Sequence, residues 1–467
     1  MPIDLSFDPN EIPLLTDLYE LTMAASYFAL GFNRPACFGM SVRRLPPRRG
    51  FLVAAGLERL LEALEQFRFE PAILDYLESL RLFKSDFLDF LGKLRFTGEV
   101  HAMAEGTVFF AGEPIIEVRA PLIEAQLIET LVINQLGMAS LIASKAARSV
   151  IAARGKRLVD FGLRRSQGEA AGLIAARSSY LAGFDGTSNV LAGRRYGIPL
   201  YGTMAHSYIM AHDREREAFE HFVRDFPKHS TLLVDTYDTV RGVQNAVIVA
   251  DQMRRRGFEL QGVRLDSGDL ADLSLKARAI LDRNGLKNTS IFASGNLNEY
   301  KIHDLIAANA PIDAFGVGTE MVVSGDAPSL DLAYKLNEYD GIPRIKTSQG
   351  KLTLPGKKQV FRAIDADGRF YADLIALAGE TTALVARQFN PIASEVATLL
   401  SLQFSGGRRL TPRPKLTESR ERFLNTLERL DQRYQDLEQP EAYPARSTVA
   451  LSTMLNEQKQ RAGKCQE

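Results

Sequence analysis

The segment IPLYGTMAHSY, residues 198–208, is the one around which the rest of the chain is organised. Ile198, Leu200 and Tyr201 carry bulky side chains that favour a β-strand, and Gly202 and Thr203 then interrupt the run. The segment therefore predicts a strand that ends at a loop, where His206 and Ser207 are placed to contact a ligand. A histidine beside a serine is more often a hydrogen-bonded structural residue, so the surrounding sequence has to decide its role.

Composition limits the class of protein before any motif is considered. The chain has 467 residues, 45% hydrophobic and 24% charged, which is typical of a globular protein with two or three domains. Lys plus Arg and Asp plus Glu both number 57, so no overall basic field indicates nucleic acid as a partner. The only cysteines, Cys37 and Cys465, argue against a disulfide framework and against a cysteine-rich metal site.

The first residues, MPIDLSFDPNEIP, lack the basic start and apolar core of a signal peptide. No uninterrupted apolar run approaches the roughly 20 residues that cross a bilayer. We therefore expect a cytoplasmic protein without a membrane partner.

Between residues 156 and 320, short apolar runs alternate with helical segments. The six runs are KRLVDFG from 156, IPLYG from 198, TLLVD from 231, LQGVRLD from 260, SIFASG from 290 and IDAFGVG from 312. This alternation predicts parallel strands joined by right-handed helical crossovers. Six strands are too few for a complete eight-stranded barrel, so an incomplete α/β barrel and an open doubly wound sheet are the two alternatives.

The flanking sequence has a different pattern. Residues 96–120 predict antiparallel strands with glycine turns, and residues after about 338 predict basic hairpins followed by a helix. We predict an N-terminal α+β domain over 1–130, an α/β domain over 131–337, and C-terminal hairpins and a helix over 338–467 that pack on the N-terminal domain.

Polar residues follow nearly every predicted strand, and both alternative folds place ligands at the carboxyl ends of parallel strands. These residues are Arg164, Arg165, Thr203, His206, Asp235, Arg264, Asp266, Asp269, Ser294, Gly295, Gly316, Gly318 and Thr319. We therefore expect them to line one binding mouth.

Two of these loops are suited to phosphate. Gly295 and Gly318 each lie between a predicted strand and a helix, where backbone N–H groups and the helix dipole favour an anion, although tight turning alone also selects glycine. Arg164 follows a run that is apolar enough to be buried, and its guanidinium suits bidentate capture of a carboxylate or phosphate. The alternative for Arg164 is an ordinary surface turn.

RLDSGD, residues 264–269, places two carboxylates next to an arginine. A carboxylate at a strand end suits ribose hydroxyls or the waters around Mg²⁺, and both Asp266 and Asp269 are candidates for such an indirect magnesium contact. The alternative is a helix N-cap made by Ser267 or Asp269.

Six motifs together resemble one family, the nicotinate phosphoribosyltransferases, which are type II phosphoribosyltransferases. The motifs are LLTDLYELTMA at 14–24, FGLRRSQG at 161–168, GFDGTSNVLAG at 183–193, GTMAHSYIMAH at 202–212, VRLDSGDL at 263–270 and FGVGTEMV at 315–322. The resemblance implies an irregular, incomplete α/β barrel. It also implies conversion of nicotinate and phosphoribosyl pyrophosphate into nicotinate mononucleotide and pyrophosphate for NAD salvage, with Mg²⁺ and coupled ATP hydrolysis.

The resemblance also implies roles for individual residues. It implies that ATP transiently phosphorylates His206, that Arg264 is catalytic and that Asp266 is catalytic at the ribose and magnesium region. The substrate-binding residues it implies are Tyr19, Arg164, Ser188, Thr203, Ser207, Gly295, Gly318 and Thr319. Tyr19 is expected to stack on the pyridine ring from the neighbouring subunit of a homodimer with shared active sites.

Substrate choice is expected to depend on Ser188. The nicotinamide-specific relatives carry an aspartate at the position that matches Ser188, and a neutral side chain there avoids repelling a carboxylate. The remaining alternatives are a nicotinamide or quinolinate phosphoribosyltransferase and a catalytically silent metabolite-binding protein. A phosphosugar aldolase or isomerase would require a lysine or a Glu/His pair at the strand ends, and the sequence shows no such pair.

Overall fold

The structure is a computed structural model that describes residues 9–348, 353–391 and 393–464. The chain separates into two compact units. The first unit comprises the residues up to Leu141 together with those from Ser329 onward, and the second is Ile142–Pro328.

The first unit is built on an antiparallel sheet in which strand Pro35–Val42 pairs with Pro114–Pro121 on one side and with Leu332–Tyr339 on the other. The strand order is Ile342–Pro343, Leu332–Tyr339, Pro35–Val42, Pro114–Pro121, Glu99–Ala102, Ser401–Ser405 and Arg408–Arg409. The predicted antiparallel pairing within residues 96–120 is confirmed for Glu99–Ala102 and Pro114–Pro121.

Smaller sheets complete this unit. The predicted C-terminal hairpin is confirmed as Lys358–Ile364 paired antiparallel with Phe370–Leu377. It forms a four-stranded sheet with Glu395–Thr398 and Ala445–Ser447, and a further pair joins Leu52–Val53 to Val108–Phe109. The helices of this unit are Leu18–Ala29, Leu57–Glu65, Pro71–Ser79, Ser85–Lys93, Leu122–Leu127, Thr382–Ala386, Leu416–Arg429 and Val449–Lys464.

The second unit contains a parallel sheet, so the predicted mixed α/β class is confirmed. The strand order is Gly186–Thr187, Arg157–Asp160, Ala314–Val317, Ser290–Ala293, Gly262–Leu265 and Thr231–Leu233. Every neighbouring pair in this order is parallel. Strands Gly262–Leu265 and Ala314–Val317 are buried along their whole length, as expected for a parallel sheet with both faces covered.

The prediction of a strand at 198–202 is wrong. Only Leu200 forms an isolated parallel bridge, to Thr187, and the edge of the sheet is taken by Gly186–Thr187 instead. Pro199 has no N–H and cannot donate to a ladder, so it contributes only its carbonyl, which accepts from the Thr187 N–H at 3.0 Å. Closure of the sheet into a barrel stays a prediction. Among the described residues, no strand pairing joins the two end strands of the parallel sheet, Gly186–Thr187 and Thr231–Leu233.

The helices of the second unit alternate with the strands as predicted. They are Glu169–Leu181, Val190–Tyr196, His206–Met210, Glu215–Asp225, Thr239–Arg255, Leu270–Arg283, Glu299–Ala307 and Thr319–Val322. Gly257 and Gly285 adopt positive φ shortly after two of these helices end, which is the usual way a glycine terminates a helix.

Helix Glu129–Ala153 begins in the first unit and ends in the second. By length and a mean hydropathy of 1.2 it satisfies the requirement for a membrane span, yet 83% of the apolar stretch is buried inside the protein. That burial is what a core helix shows, so the helix gives no support for a membrane partner.

Candidate functional site

The side chain of Arg264 is the centre of a hydrogen-bonded cluster at the carboxyl ends of the parallel strands. Its Nε donates to Ser294 Oγ at 2.8 Å, and one Nη donates to Thr203 Oγ1 at 2.9 Å. The other Nη lies 2.6 Å from Asp266 Oδ1. Its guanidinium carbon also lies 5.4 Å from the centre of the Phe161 ring. The guanidinium is therefore fixed on several sides, and its planar fork accounts for the choice of arginine over lysine.

Asp266 is kept ionised by this cluster. Burial raises the pKa of its carboxyl group, but hydrogen bonds from Ser294 and Arg264, with the positive charge of Arg264, outweigh burial and leave the pKa below its ordinary value. The neighbouring Asp269 has a different task, because its side chain accepts from the N–H groups of Ala271 and Asp272 and caps helix Leu270–Arg283. The N-cap alternative thus holds for Asp269, whereas Asp266 belongs to the cluster.

His206 lies at the edge of the same cluster as the first residue of helix His206–Met210. Its Nδ1 is 3.1 Å from Thr236 Oγ1, and its Nε2 is 3.8 Å from Asp266 Oδ2. The imidazole side chain is 40% exposed, so a ligand can reach it from solvent. The structure therefore brings His206, Thr203, Arg264 and Asp266 together.

Asp235 is a member of this site that the sequence analysis noted only as a strand-end residue. One oxygen, Oδ2, accepts from the Asp266 N–H at 2.8 Å and from Ser267 Oγ at 2.7 Å. The other, Oδ1, is buried and has no hydrogen-bond partner within the described residues. The signal available in the sequence was a carboxylate at the end of the apolar run TLLVD, residues 231–235.

The two glycine loops follow neighbouring strands of the sheet. Gly295 has φ of +96°, and a Cβ there would lie 1.9 Å from the carbonyl oxygen of Asp266, so only glycine fits. Gly318 lies against Phe161, whose carbonyl oxygen would be 3.2 Å from an added Cβ, and half-buried Thr319 begins helix Thr319–Val322. Both loops therefore bring backbone close to the strand ends.

Arg164, Ser188 and Ser207 make no side-chain hydrogen bond to the Arg264 cluster among the described residues. Arg164 is exposed in the short 3₁₀ helix Leu163–Arg165 and has no ion-pair or side-chain hydrogen-bond partner among the described residues. Ser188 is half-buried, and its N–H donates to the Asp160 carbonyl at 2.9 Å. Ser207 is exposed in helix His206–Met210.

Tyr19 belongs to the first unit, in helix Leu18–Ala29, and its side chain is 46% exposed. Partial burial is the main cause that raises the pKa of the Tyr19 phenol to about 12, and the negative charge of nearby Glu129 adds to it. The ring is therefore neutral at physiological pH and available for stacking.

A cavity of about 550 Å³ also lies in the first unit, lined by cations that include Arg43 and Lys358. These cations have partners in the same unit: Arg43 lies 3.0 Å from Asp331, and Lys358 lies 3.0 Å from Glu117. None of the residues that line this cavity belongs to the Arg264 cluster.

Sequence profiles of one family match nearly the whole chain. They are described as the nicotinate phosphoribosyltransferase N-terminal domain over residues 14–136, the nicotinate phosphoribosyltransferase family over 156–343, and the nicotinate phosphoribosyltransferase C-terminal domain over 357–459. The chain belongs to the nicotinate phosphoribosyltransferase family. The resemblance drawn from the six sequence motifs is thus confirmed.

Relatives of this family align over most of their length. The nicotinate phosphoribosyltransferase pncB2 of Mycobacterium tuberculosis is 53% identical over 367 residues, which is 79% of each chain. The nicotinate phosphoribosyltransferase of Bacillus subtilis is 38% identical over 95% of this chain and 94% of its own. The crystal structure of human nicotinic acid phosphoribosyltransferase superposes with a TM-score of 0.83 at 30% identity, covering 95% of this chain and 99% of the human one.

Proposed function

We propose that the chain converts nicotinate, phosphoribosyl pyrophosphate, ATP and water into nicotinate mononucleotide, pyrophosphate, ADP and phosphate, as a step of NAD salvage. The observation that carries the proposal is the cluster in which Arg264, Asp266 and Thr203 share hydrogen bonds beside His206, in a chain of this family. Arg264 and Asp266 come from the carboxyl end of strand Gly262–Leu265, and Thr203 and His206 follow the bridge at Leu200.

The proposed transfer does not need a general base. The ring nitrogen of nicotinate carries a free lone pair, which forms the new bond to ribose C1 as the bond to pyrophosphate breaks. The electron pair of that bond leaves with pyrophosphate, so catalysis depends on positioning and on stabilising the developing negative charge. Arg264 and Thr203 are proposed to contact nicotinate or the phosphates, and Asp266 to face the ribose.

Magnesium fits this site through water rather than through a complete protein cage. No group of three or more His, Cys, Asp or Glu side chains among the described residues is arranged to hold a metal. Asp266 and the orphaned Oδ1 of Asp235 nevertheless supply the carboxylate oxygens that hydrated Mg²⁺ prefers. Bound there, Mg²⁺ would neutralise charge on the pyrophosphate group.

His206 is proposed as the residue that accepts phosphate from ATP. Since Thr236 occupies Nδ1, the lone pair of Nε2 is the candidate nucleophile, and it would attack the γ-phosphorus as ADP leaves. Water then releases inorganic phosphate from the N–P bond, which returns the histidine to its starting state.

Loops further along the sheet are proposed to recognise the two substrates. Arg164 and the uncharged Ser188 suit the carboxylate of nicotinate, and Ser207 is proposed to contact the same substrates beside His206. Gly295, Gly318 and Thr319 are proposed to hold the 5′-phosphate through backbone and hydroxyl donors.

We also propose a homodimer with shared active sites, in which Tyr19 of one subunit stacks on the pyridine ring in the other. Its exposed, neutral ring supports this role. Mixing inactive Tyr19→Ala and Arg264→Ala chains should restore part of the activity if sites are shared, whereas inactive hybrids after proven subunit exchange would contradict sharing. We further propose that the parallel strands form an incomplete barrel, which the strand order supports. We also propose a cytoplasmic location, which a sequence with only two cysteines supports.

The test of the function is pyrophosphate release with Mg²⁺ and phosphoribosyl pyrophosphate, offering nicotinate, nicotinamide or quinolinate, with and without ATP. We expect turnover of nicotinate and stimulation by ATP. Turnover of nicotinamide but not nicotinate would overturn the proposed substrate, and no turnover of any pyridine would favour a silent binding protein.

The phosphohistidine has its own test. Incubation with ATP labelled at the γ-phosphate should leave acid-labile label on the unaltered chain and on His303→Ala, which removes another exposed histidine of the same unit. His206→Ala should carry none. Equal labelling of His206→Ala would contradict the role.

A further inference from the structure

Asp160 is a buried carboxylate that the proposed reaction does not use. It is the last residue of strand Arg157–Asp160 and is only 1% exposed. Its Oδ1 accepts from the Gly162 N–H at 2.7 Å, and its Oδ2 accepts from Thr187 Oγ1 at 2.6 Å. Both oxygens are thus satisfied, and neither is directed at solvent.

These hydrogen bonds join the starts of two different loops. Gly162 precedes the turn Leu163–Arg165, which carries Arg164, and Arg165 N–H donates to the Gly162 carbonyl at 2.8 Å. On the other side, Ser188 N–H donates to the backbone carbonyl of Asp160 at 2.9 Å. One residue therefore fixes the entry to both loops.

The second loop is held by a relay through Thr187. Its hydroxyl donates to Asp160 and accepts from the Asn189 N–H at 3.0 Å, so the residues on both sides of Ser188 are fixed. Asn189 in turn caps helix Val190–Tyr196 by accepting from the Ala192 N–H. Ser188 consequently lies between two residues whose positions depend on the hydrogen bonds of Asp160.

The first loop is held just as closely. A Cβ at Gly162 would lie 2.8 Å from Val322 Cβ and 3.0 Å from Asp160 Oδ1, so the backbone at Gly162 packs directly against both. An N–H that donates to a buried carboxylate makes a strong, directional hydrogen bond, because little water competes for either group.

We propose that Asp160 is a positioning residue that sets the geometry of nicotinate recognition by fixing the Arg164 loop and the Ser188 loop relative to each other. The inference rests on the proposed function, in which these loops bind the nicotinate carboxylate. Asp160 acts through Gly162 and Thr187 and does not contact substrate. Loss of the Asp160 carboxylate weakens the binding of nicotinate more than the binding of phosphoribosyl pyrophosphate. The same loss reduces the preference of the enzyme for nicotinate over nicotinamide.

Two substitutions test this link at different points. Asp160→Asn keeps the size of the side chain but offers an amide N–H₂ where one of the two donors now binds. Thr187→Val removes only the hydroxyl, so it breaks the relay to the Ser188 loop and leaves the Gly162 contact intact. If Asp160→Asn fails to fold, Thr187→Val decides alone.

A matched control lies on the same two segments. Asp185 Oδ2 accepts from the Leu158 N–H at 2.9 Å, so it joins the strand of Asp160 to the segment that leads into Thr187, away from the carboxyl ends. Asp185→Ala removes the acceptor of the Leu158 N–H and leaves the contacts of Asp160 with Gly162 and Thr187 in place. Asp185→Ala is expected to lower thermal stability and to leave the KM for nicotinate unchanged.

Steady-state kinetics with each substrate varied separately decide the question. Asp160→Asn and Thr187→Val should each raise the KM for nicotinate by about tenfold or more, because a displaced loop loses about one charge-assisted contact with the nicotinate carboxylate. The KM for phosphoribosyl pyrophosphate should change less than about threefold, and the nicotinate to nicotinamide ratio of kcat/KM should fall.

The inference is overturned if the folded variants keep the nicotinate KM of the unaltered chain, if both KM values rise together, or if Asp185→Ala gives the same shift. An unaltered chain that does not turn over nicotinate would instead overturn the proposed function and the inference with it.

Discussion

Replacing Arg264 with lysine isolates the contribution of the guanidinium fork from that of the positive charge. The arginine makes directed contacts with Ser294, Thr203 and Asp266 and lies over the ring of Phe161. A lysine ammonium is a single point donor, so it can keep the contact with Asp266 while the two hydroxyls lose theirs. Arg264→Lys therefore preserves the positive charge and removes the directed hydrogen bonds of the guanidinium group.

The magnitude follows from the two lost contacts. A hydrogen bond to a charged group contributes about 1.5–3 kcal/mol, and the hydroxyls of Ser294 and Thr203 recover part of this by rotating toward other acceptors. Ser294 has the Leu265 carbonyl at 3.4 Å, and Thr203 has the Met204 carbonyl at 3.0 Å. In the proposed site the same fork contacts nicotinate or the phosphates, so a loss of contacts of this size in the transition state, about 3 kcal/mol, corresponds to a fall in kcat/KM of roughly 100-fold.

The assay is kcat/KM for nicotinate from pyrophosphate release, with the free energy of unfolding from urea titration. Arg278→Lys is the matched control, because Arg278 also uses its whole fork, to the Asp282 side chain and to the carbonyls of Thr289 and Leu286. It should lose stability and keep kcat/KM. If Arg264→Lys stays within about threefold of the unaltered kcat/KM, the fork geometry is not used in the reaction and the reasoning fails.

Three further outcomes are expected. Gly295→Ala should raise the KM for phosphoribosyl pyrophosphate about tenfold or more, because the added Cβ would collide with the Asp266 carbonyl. Gly285→Ala is the control: its φ of +73° strains the backbone, but no atom lies near the added Cβ, so this KM should not change. Asp235→Asn should raise the magnesium concentration needed for half-maximal activity by about 10- to 100-fold, and an unchanged requirement would remove Asp235 from the metal's surroundings. Burial raises the pKa of Glu113 well above its ordinary value, and the negative charge of Asp373 adds to the effect. The protonated side chain therefore contributes to the free energy of unfolding in acid, and this contribution is lost as the pH rises through the folded-state pKa. Glu113→Gln should therefore raise the urea midpoint more at alkaline than at acidic pH, and a pH-independent difference would contradict the assignment.

The sequence predicted most of the parallel sheet because hydrophobic runs in buried strands are a strong signal. Five of the six predicted runs contain the strands that begin at Arg157, Thr231, Gly262, Ser290 and Ala314. The sixth strand, Gly186–Thr187, is two residues long and contains a glycine, so no periodicity could reveal it. Its place in the sheet depends on tertiary hydrogen bonds to Asp160 and Pro199 rather than on local preference.

The candidate site was predictable as a location but not as a network. Since parallel strands end at one edge, the order of the motifs was enough to expect Arg264, Asp266 and His206 near one another. The donors and acceptors they share depend on side-chain rotamers, which a single sequence does not specify. The orphaned oxygen of Asp235 and the double contact of Asp160 follow only from the folded geometry.

The failed strand prediction at 198–202 bears on how the site is built. In a strand, residues 201–205 would direct their backbone groups into a ladder and their side chains alternately to opposite faces. Because pairing stops at Leu200 and Tyr201, the Thr203 hydroxyl and the Met204 carbonyl are both free to accept from one Nη of Arg264. The same irregular segment brings His206 to the start of a short helix beside Asp266. A residue pattern that favoured a longer strand would withdraw the acceptors from Arg264, so the irregular backbone is the feature that lets His206 and the guanidinium share one cluster.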